Sequence, residues 1–322
     1  MEQKRRFGDG RILVVAFEGW NDAGEAASGA VTMLRDALGL VALHEADPEQ
    51  YFDYQFTRPV IYVDDEGKRR LRWPSATVFG PPTSGAVLPR SIEPETPLSV
   101  DQQDDGDSDD DETSLSLVDN IFVLVGSEPS RGWKSFAAEI LDQALVHDIT
   151  GIVVLGAMLA DVPHTRPISV FSSSESAEVR LEFGMERSAY EGPVGILSVL
   201  ADVADVVGIP TVSIWASVPH YVHNAPSPKA TLALIEKLEE IIGVPVPRGD
   251  LEDEAAAWES GIDALAGDDE DMAAYIEQLE QARDTVDSPE ASGEAIAQEF
   301  EQYLRKRGDG RDGFADGREN PL

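Results

Sequence analysis

The chain has 322 residues, enough for one large domain or two ordinary ones with a substantial core. Hydrophobic residues make up 42% of it, which is typical of a globular protein and too high for a wholly disordered one. It contains no cysteine, so disulfides, thiolate metal sites and cysteine nucleophiles are excluded. The net charge of −36 argues against nucleic acids and anionic membrane surfaces as partners.

The negative charge is concentrated in two segments. Residues 93–112 hold ten acids and no base, and residues 250–304 hold eighteen acids and one base. The rest of the chain is therefore only mildly acidic. The simplest interpretation of this charge is solubility, and an alternative is that the tail mimics an anionic partner.

No run of about 18 apolar residues occurs, so we expect no membrane span. The apolar run from Ile12 to Phe17 is too short for the core of a signal peptide. We therefore expect a cytoplasmic protein.

The first element is a buried strand over Arg11–Phe17, where the apolar residues are continuous. The polar segment Glu18–Gly24 breaks it, and a helix follows from Ala26 to Leu38. Asn21 or Asp22 is a suitable N-cap for this helix. A strand, a polar loop and a helix are the beginning of a βαβ unit.

Residues 40–90 are richer in strand signals. Three short aromatic or β-branched runs, Tyr51–Phe56, Val60–Val63 and Leu71–Phe79, indicate strands, including a hairpin beside the main sheet. The acidic stretch at about 94–116 cannot bury anything and is predicted to be a disordered insertion. Calcium binding there is an alternative, but its Gly and Glu do not have EF-hand spacing.

Strand and helix patterns alternate through the rest of the first 247 residues. They predict strands over 120–126, 151–156, 168–173 and 210–216, and helices over 133–147, 193–206 and 227–242. This alternation is typical of an α/β domain, here 10–247, with a mostly parallel sheet flanked by helices. Three amphipathic helices are then predicted within 250–307 as an acidic appendage, and 308–322 as a disordered tail.

Several polar residues follow the predicted strands, at the edge where open α/β sheets bind ligands. They are candidates for binding a ligand or a partner: Glu18, Trp20, Asn21, Asp22, Ser127, Glu128, His164, Arg166, Glu191, His220 and Tyr221. His164 with Arg166 could hold a carboxylate or a phosphate, or could pair locally in a loop bounded by prolines. Capping and a tight turn are the favoured interpretation of Glu18–Asp22.

No catalytic site, metal site or cofactor is predicted from these residues. His220 and His223 are three apart, but Pro219 favours a loop over a metal-binding helix. Ser127 or Ser217 with His164 or His220 and Asp22 supplies the residue types of a triad. However, the chain has no Gly-x-Ser-x-Gly elbow, no Walker loop and no dinucleotide fingerprint.

Four segments of the chain, taken together in their order, resemble the proteasome assembly chaperone 2 (PAC2) family in its actinobacterial form. They are Val15–Gly24, Asp161–Pro167, Tyr190–Gly195 and Gly208–Ala230. The resemblance covers about residues 10–245. It implies a three-layer α/β/α sandwich like that of nucleoside phosphorylases. It also implies a homo-oligomer, such as a trimer, that binds protein partners.

In one feature the chain departs from that pattern. Chaperones that dock on the proteasome core often end in a hydrophobic residue, Tyr and any residue, whereas this chain ends Gly317–Leu322 without such a Tyr. This argues against direct docking into the α-ring pockets of the proteasome, while proteasome subunits stay candidate partners. We therefore expect a non-catalytic binding or assembly factor. The alternative is an enzyme or ligase that binds a nucleotide, nucleoside or carboxylate in the strand-end pocket.

Overall fold

The computed structural model describes residues 6–82, 119–223 and 225–287. The acidic insertion predicted at 94–116, the third appendage helix predicted after residue 287 and the tail at 308–322 lie outside these described residues.

The centre of the molecule is a seven-stranded sheet with the order β2-β5-β6-β1-β7-β9-β8. The four central strands β6, β1, β7 and β9 run parallel, and β5, β2 and β8 are antiparallel to their neighbours. The strands are β1 (Arg11–Glu18), β2 (Val41–Glu45), β3 (Val60–Val63), β4 (Arg69–Arg72), β5 (Ala76–Gly80), β6 (Ile121–Ser127), β7 (Ile149–Ala160), β8 (Val170–Ser174) and β9 (Thr211–Pro219).

Helices cover both faces of this sheet. They are α1 (Ala26–Ala37), α2 (Pro48–Tyr51), α3 (Trp133–Val146), α4 (Ala177–Phe183), α5 (Ile196–Val206), α6 (Pro228–Ile242), α7 (Leu251–Gly267) and α8 (Glu270–Asp287). Helices α1 and α6 pack on one face, and α3 and α5 pack on the other. The predicted three-layer α/β/α sandwich with its mostly parallel central sheet is confirmed.

Strand β1 shows why its residues read as a continuous apolar run. Ile12, Val14 and Ala16 belong to one core cluster, and Leu13 and Phe17 belong to the cluster on the opposite face. Because both faces of a central parallel strand are covered by helices, both sets of alternating side chains must be apolar.

Residues 40–90 depart from the predicted strands in two places. Tyr51–Phe56 is not a strand. Asp47 caps helix α2 and Pro48 occupies its first position, so Tyr51 is helical. A turn then follows, in which the backbone N–H of Phe56 donates to the Asp53 carbonyl oxygen at 2.9 Å. The run Leu71–Phe79 divides between β4 and β5, on either side of Pro74. Strands β3 and β4 form a separate two-stranded sheet, as the predicted hairpin required.

The described part of the acidic appendage consists of α7 and α8. Helix α7 buries Leu251, Ala255 and Ile262, and α8 buries Ile276 and Leu279. Leu265, near the end of α7, is 66% exposed. None of the helices in the described ranges is long and apolar enough to pass through a membrane.

Candidate functional site

The carboxyl ends of the four parallel strands lie along one edge of the sheet, and nearly all the predicted candidate residues follow them. They fall into two groups. The first follows β1 and β6 and contains Glu18, Trp20, Asn21, Asp22, Ser127 and Glu128. The second follows β7 and β9 and contains His164, Arg166, His220 and Tyr221.

In the first group, Asp22 holds the start of helix α1. Its Oδ1 accepts hydrogen bonds from the backbone N–H of Ala27 at 2.8 Å and of Ser28 at 3.1 Å, and its Oδ2 accepts from the Ser28 hydroxyl at 2.5 Å. Burial raises the pKa of Asp22, although these hydrogen bonds act in the opposite direction. The carboxylate therefore serves as a cap for orphan helix donors.

Glu128 does the same for helix α5. Its Oε1 accepts from the backbone N–H of Ile196 at 3.0 Å and from Asn21 Nδ2 at 3.3 Å. Asn21 packs so closely on Gly195 that a Cβ there would lie 2.2 Å from Asn21 Nδ2. This contact joins the loop after β1 to the start of α5.

The other members of this edge are more open. Glu18 accepts a hydrogen bond from the Ser127 hydroxyl at 3.2 Å. Trp20 is 67% exposed, and Glu191 is exposed in the loop before α5. The polar residues of the first group thus act in capping and in turns, and Trp20 is left on the surface.

In the second group, His164 is fully buried at the base of the appendage. Its backbone N–H donates to the Tyr221 hydroxyl at 2.7 Å, and its Nδ1 lies 2.8 Å from the same oxygen. Its Nε2 lies 3.0 Å from Oδ1 of Asp263 on helix α7. The contacts are all satisfied if Tyr221 donates to Nδ1 and Nε2–H donates to Asp263.

Arg166 connects the same loop to helix α8. Its Nε and Nη2 donate to the two carboxylate oxygens of Asp284 at 2.7 and 2.8 Å, and its Nη1 donates to Glu280 at 3.3 Å. The Thr165 hydroxyl also donates to Glu280. The hydrogen bond from Arg166 lowers the pKa of Asp284 and the pairing raises the pKa of Arg166.

Lys229, on α6, was missed by the sequence reasoning. Its Nζ donates to the His164 carbonyl oxygen at 2.6 Å and pairs with Glu259 of α7. A cation in the first turn of a helix opposes the helix dipole. The unfavourable position of Lys229 in the sequence was therefore a signal that an acidic residue pairs with it.

Aromatic side chains complete this contact. Tyr275 of α8 meets the rings of His220 and Tyr221 edge-on, with centroids 5.6 and 6.2 Å apart. Desolvation, the largest cause, raises the pKa of Tyr221 to about 12. His220 Nδ1 lies 3.3 Å from Asp161, and within the described ranges no group of three or more His, Asp or Glu side chains is placed to hold a metal.

We call this contact the latch, defined as the basic residues His164, Arg166 and Lys229 of the α/β core with their acidic partners Glu259, Asp263, Glu280 and Asp284 of the appendage. The predicted carboxylate site is thus occupied by carboxylates of the same chain. Among the described residues, no hydrogen bond or ion pair joins the latch to the first group.

The residue types of a hydrolytic triad are present but are paired elsewhere. Ser127 bonds Glu18, Asp22 bonds Ser28, and His164 bonds Tyr221 and Asp263. The polar residues after β1 and β6 therefore cap helices, and those after β7 and β9 hold the appendage on the core.

Comparison with known proteins places these observations in a family. The PAC2 family matches residues 16–266, a range that includes nearly all of α7. A PAC2 family protein of Streptomyces avermitilis is 37% identical, with a TM-score of 0.65 over 82% of this chain and 99% of that one. A proteasome-assembly chaperone homologue of Mycobacterium tuberculosis is 36% identical, with a TM-score of 0.64 and the same coverage.

The archaeal proteasome activator PbaB of Pyrococcus furiosus shares only the fold, at 13% identity and a TM-score of 0.55, over 82% of this chain and 96% of that one. No curated protein matches significantly. The extent of the family match and the identity of the first two structures assign this chain to the PAC2 family.

Proposed function

We propose that this chain is a non-catalytic assembly factor of the cytoplasm that binds protein partners, proteasome subunits among them, and acts as a homo-oligomer. The support is its membership of the PAC2 family and its 36% identity to a proteasome-assembly chaperone homologue over nearly the whole of that protein. In this proposal residues 10–247 are the binding domain and 250–307 are the acidic appendage.

The observation that carries the proposal is that the polar groups at the strand ends already form contacts within the chain. Asp22 and Glu128 cap helices, and His164, Arg166 and Lys229 are paired with the appendage. Groups that already hold the fold together are poorly suited to bind a small substrate and release its product. The free part of this edge is instead the kind of surface that proteins recognise.

Trp20 and Tyr190 are the exposed aromatic side chains of that free part. Trp20 adjoins Asn21, which packs on Gly195, and Tyr190 lies in the loop that ends at Gly195. Tryptophan and tyrosine are enriched among the residues that dominate protein–protein binding energy. We propose that a partner contacts this part of the edge.

The test is affinity capture from native lysate with identification by mass spectrometry, in parallel with a measurement of oligomer mass. Trp20→Ala is compared with Phe171→Ala, a similarly exposed aromatic residue on the edge strand β8. We expect the wild type and Phe171→Ala to retain one set of partners, and Trp20→Ala to lose it.

A different outcome would favour the small-molecule alternative. If no protein is retained, and a thermal-shift screen shows that nucleotides, nucleosides or phosphate stabilise the chain, the proposal fails.

A further inference from the structure

The hairpin of β3 and β4 exposes apolar side chains on both of its faces. Every residue of both strands is exposed, including Ile61 at 54% and Val63 at 64%. Tyr62, Leu71 and Trp73 are also exposed large hydrophobic residues. Apolar patches of this kind on a soluble chain mark interaction surfaces.

A two-stranded sheet is only marginally stable in water unless further strands extend it or a helix packs against it. Here the ladder is short, with four residue pairs, Val60–Arg72 to Val63–Arg69. The Trp73 ring packs on Tyr54 at the base of the hairpin, with centroids 4.9 Å apart. The two strands themselves remain uncovered, so a second molecule would both bury and stabilise them.

The hairpin also differs from the rest of the chain in charge. Residues 56–73 hold five bases and three acids, in a chain whose net charge is −36. Asp64 and Glu66 pair with Arg70 and Lys68. Arg58, Arg69 and Arg72 form no ion pair with a described residue, so among those residues the patch has an excess of positive charge. The partner it fits is acidic.

The register assigns the side chains of the hairpin to two faces. Directly opposed residues of an antiparallel pair share a face, and residues two apart on one strand share it too. Ile61, Val63, Leu71 and Arg69 therefore lie on one face. Val60, Tyr62, Arg70 and Arg72 lie on the other. The first face is the more apolar, and its one cation, Arg69, has no ion-pair partner in the described part of the chain.

A matching surface occurs on the outward side of helix α7. Ala257, Gly261 and Leu265 follow one another at four-residue spacing and are all exposed, with exposed acids Glu254 and Asp268 nearby. Glycine in the middle of a helix is unfavourable, and a Cβ at Gly261 would meet nothing within 4 Å. Packing against the described residues thus gives no reason for glycine there, whereas close approach by a second molecule would.

We propose that the Ile61, Val63, Leu71 and Arg69 face of the hairpin docks on the outward side of α7 in a second copy of this chain. The Ile61–Leu71 pair meets Leu265 beside Gly261, and Arg69 meets Asp268, three residues beyond Leu265. The two surfaces differ, so the contact is head-to-tail and generates a closed ring if the rotation permits. This inference rests on the self-association in the proposed function and assigns its interface.

Sedimentation velocity over a concentration series tests it on the full chain. Ile61→Ser/Leu71→Ser should weaken association by about tenfold or more, since it truncates the docking face. Val60→Ser/Tyr62→Ser makes a matched change on the opposite face and should leave association unchanged. Gly261→Trp should abolish association, and Gly267→Trp, whose Cβ is also unobstructed, should not.

Charge reversal provides an independent measurement. Arg69→Glu should weaken association, and Asp268→Lys should restore it in the same chain. Raising the ionic strength should weaken the wild-type association.

Two outcomes overturn this inference and leave protein binding intact. One is that the wild type and the variants altered on either hairpin face all associate equally well. The other is a monomeric wild type whose captured partners are lost with Ile61→Ser/Leu71→Ser, which would assign the hairpin to a different protein. A monomeric chain that captures no partner refutes the proposed function as well.

Discussion

Replacing His164 by Phe tests whether the latch holds the appendage. The ring is fully buried and meets Tyr221 and Trp258 edge-on, at 5.9 and 6.4 Å between centroids. Phenylalanine can keep these packing contacts because it has a similar shape. It removes the hydrogen bonds of Nδ1 to Tyr221 and of Nε2 to Asp263. The effect therefore reports on those bonds.

The expected magnitude follows from the two bonds. The neutral bond to Tyr221 contributes about 1 kcal/mol, and the bond to the carboxylate contributes about 1.5 kcal/mol because Asp263 is largely exposed. The total of about 2–3 kcal/mol corresponds to roughly a 30- to 150-fold rise in the population with an undocked appendage. Hydrogen exchange of the α7 and α8 amides measures this change, and urea unfolding measures the global effect.

His147→Phe is the matched control. His147 lies at the end of α3, its ring rests on Phe122, and its side chain forms no hydrogen bond with a described residue. We expect its unfolding free energy to stay within about 0.5 kcal/mol of the wild type. If His164→Phe behaves like this control and leaves exchange in α7 and α8 unchanged, His164 does not hold the appendage.

Three further predictions concern the latch and the first cap. Arg166→Met should accelerate exchange in α8 more than in α7, because its ion pairs all reach α8. Acid should weaken the attachment of α8 to the core. The pKa of Asp284 is lower in the folded chain than the ordinary Asp value of 3.8, so its pairing with Arg166 stabilises the docked helix above that value. This stability is lost as the pH falls through the pKa of Asp284 in the folded chain. Exchange of α8 amides against pH measures this, and Arg166→Met should remove the dependence. Asp22→Ala should lower the urea-derived unfolding free energy by about 1–2 kcal/mol, because α1 loses its cap; a change under about 0.3 kcal/mol would contradict that role.

The layers of the fold could be predicted because their signals are local. Strand β1 is buried on both faces, and its sequence from Ile12 to Phe17 is therefore an uninterrupted apolar run. Ser227 and Pro228 identify the start of α6 within a residue, since cap and proline act over one helical turn. The predicted strand Tyr51–Phe56 is wrong because Tyr51 ends a helix capped by Asp47 and Asp53 begins a turn, although the aromatic composition favours a strand.

The partners of the strand-end residues were harder to predict. His164 meets Asp263 across 99 residues, and Arg166 meets Asp284 across 118. No spacing rule links such distant positions, and a solvated acidic helix has the same composition as a docked one. The sequence therefore indicates that His164 and Arg166 suit a carboxylate without indicating that the chain supplies its own.

The connection between α6 and α7 determines which end of the appendage gives way first. Val244 and Val246 are buried in the core, and Leu251 joins the same cluster. Arg248 binds Glu239 at 2.9 Å and also reaches Glu236 and Glu252. The beginning of α7 is therefore held by the core through buried side chains and the ion pairs of Arg248. Helix α8 lies farther along the chain from this anchor, and it is held by the contacts of Arg166, Thr165 and Tyr275 and by the burial of Ile276 and Leu279. An appendage that separates from the core would therefore detach first at α8, while the contacts of Arg248 keep the beginning of α7 in place.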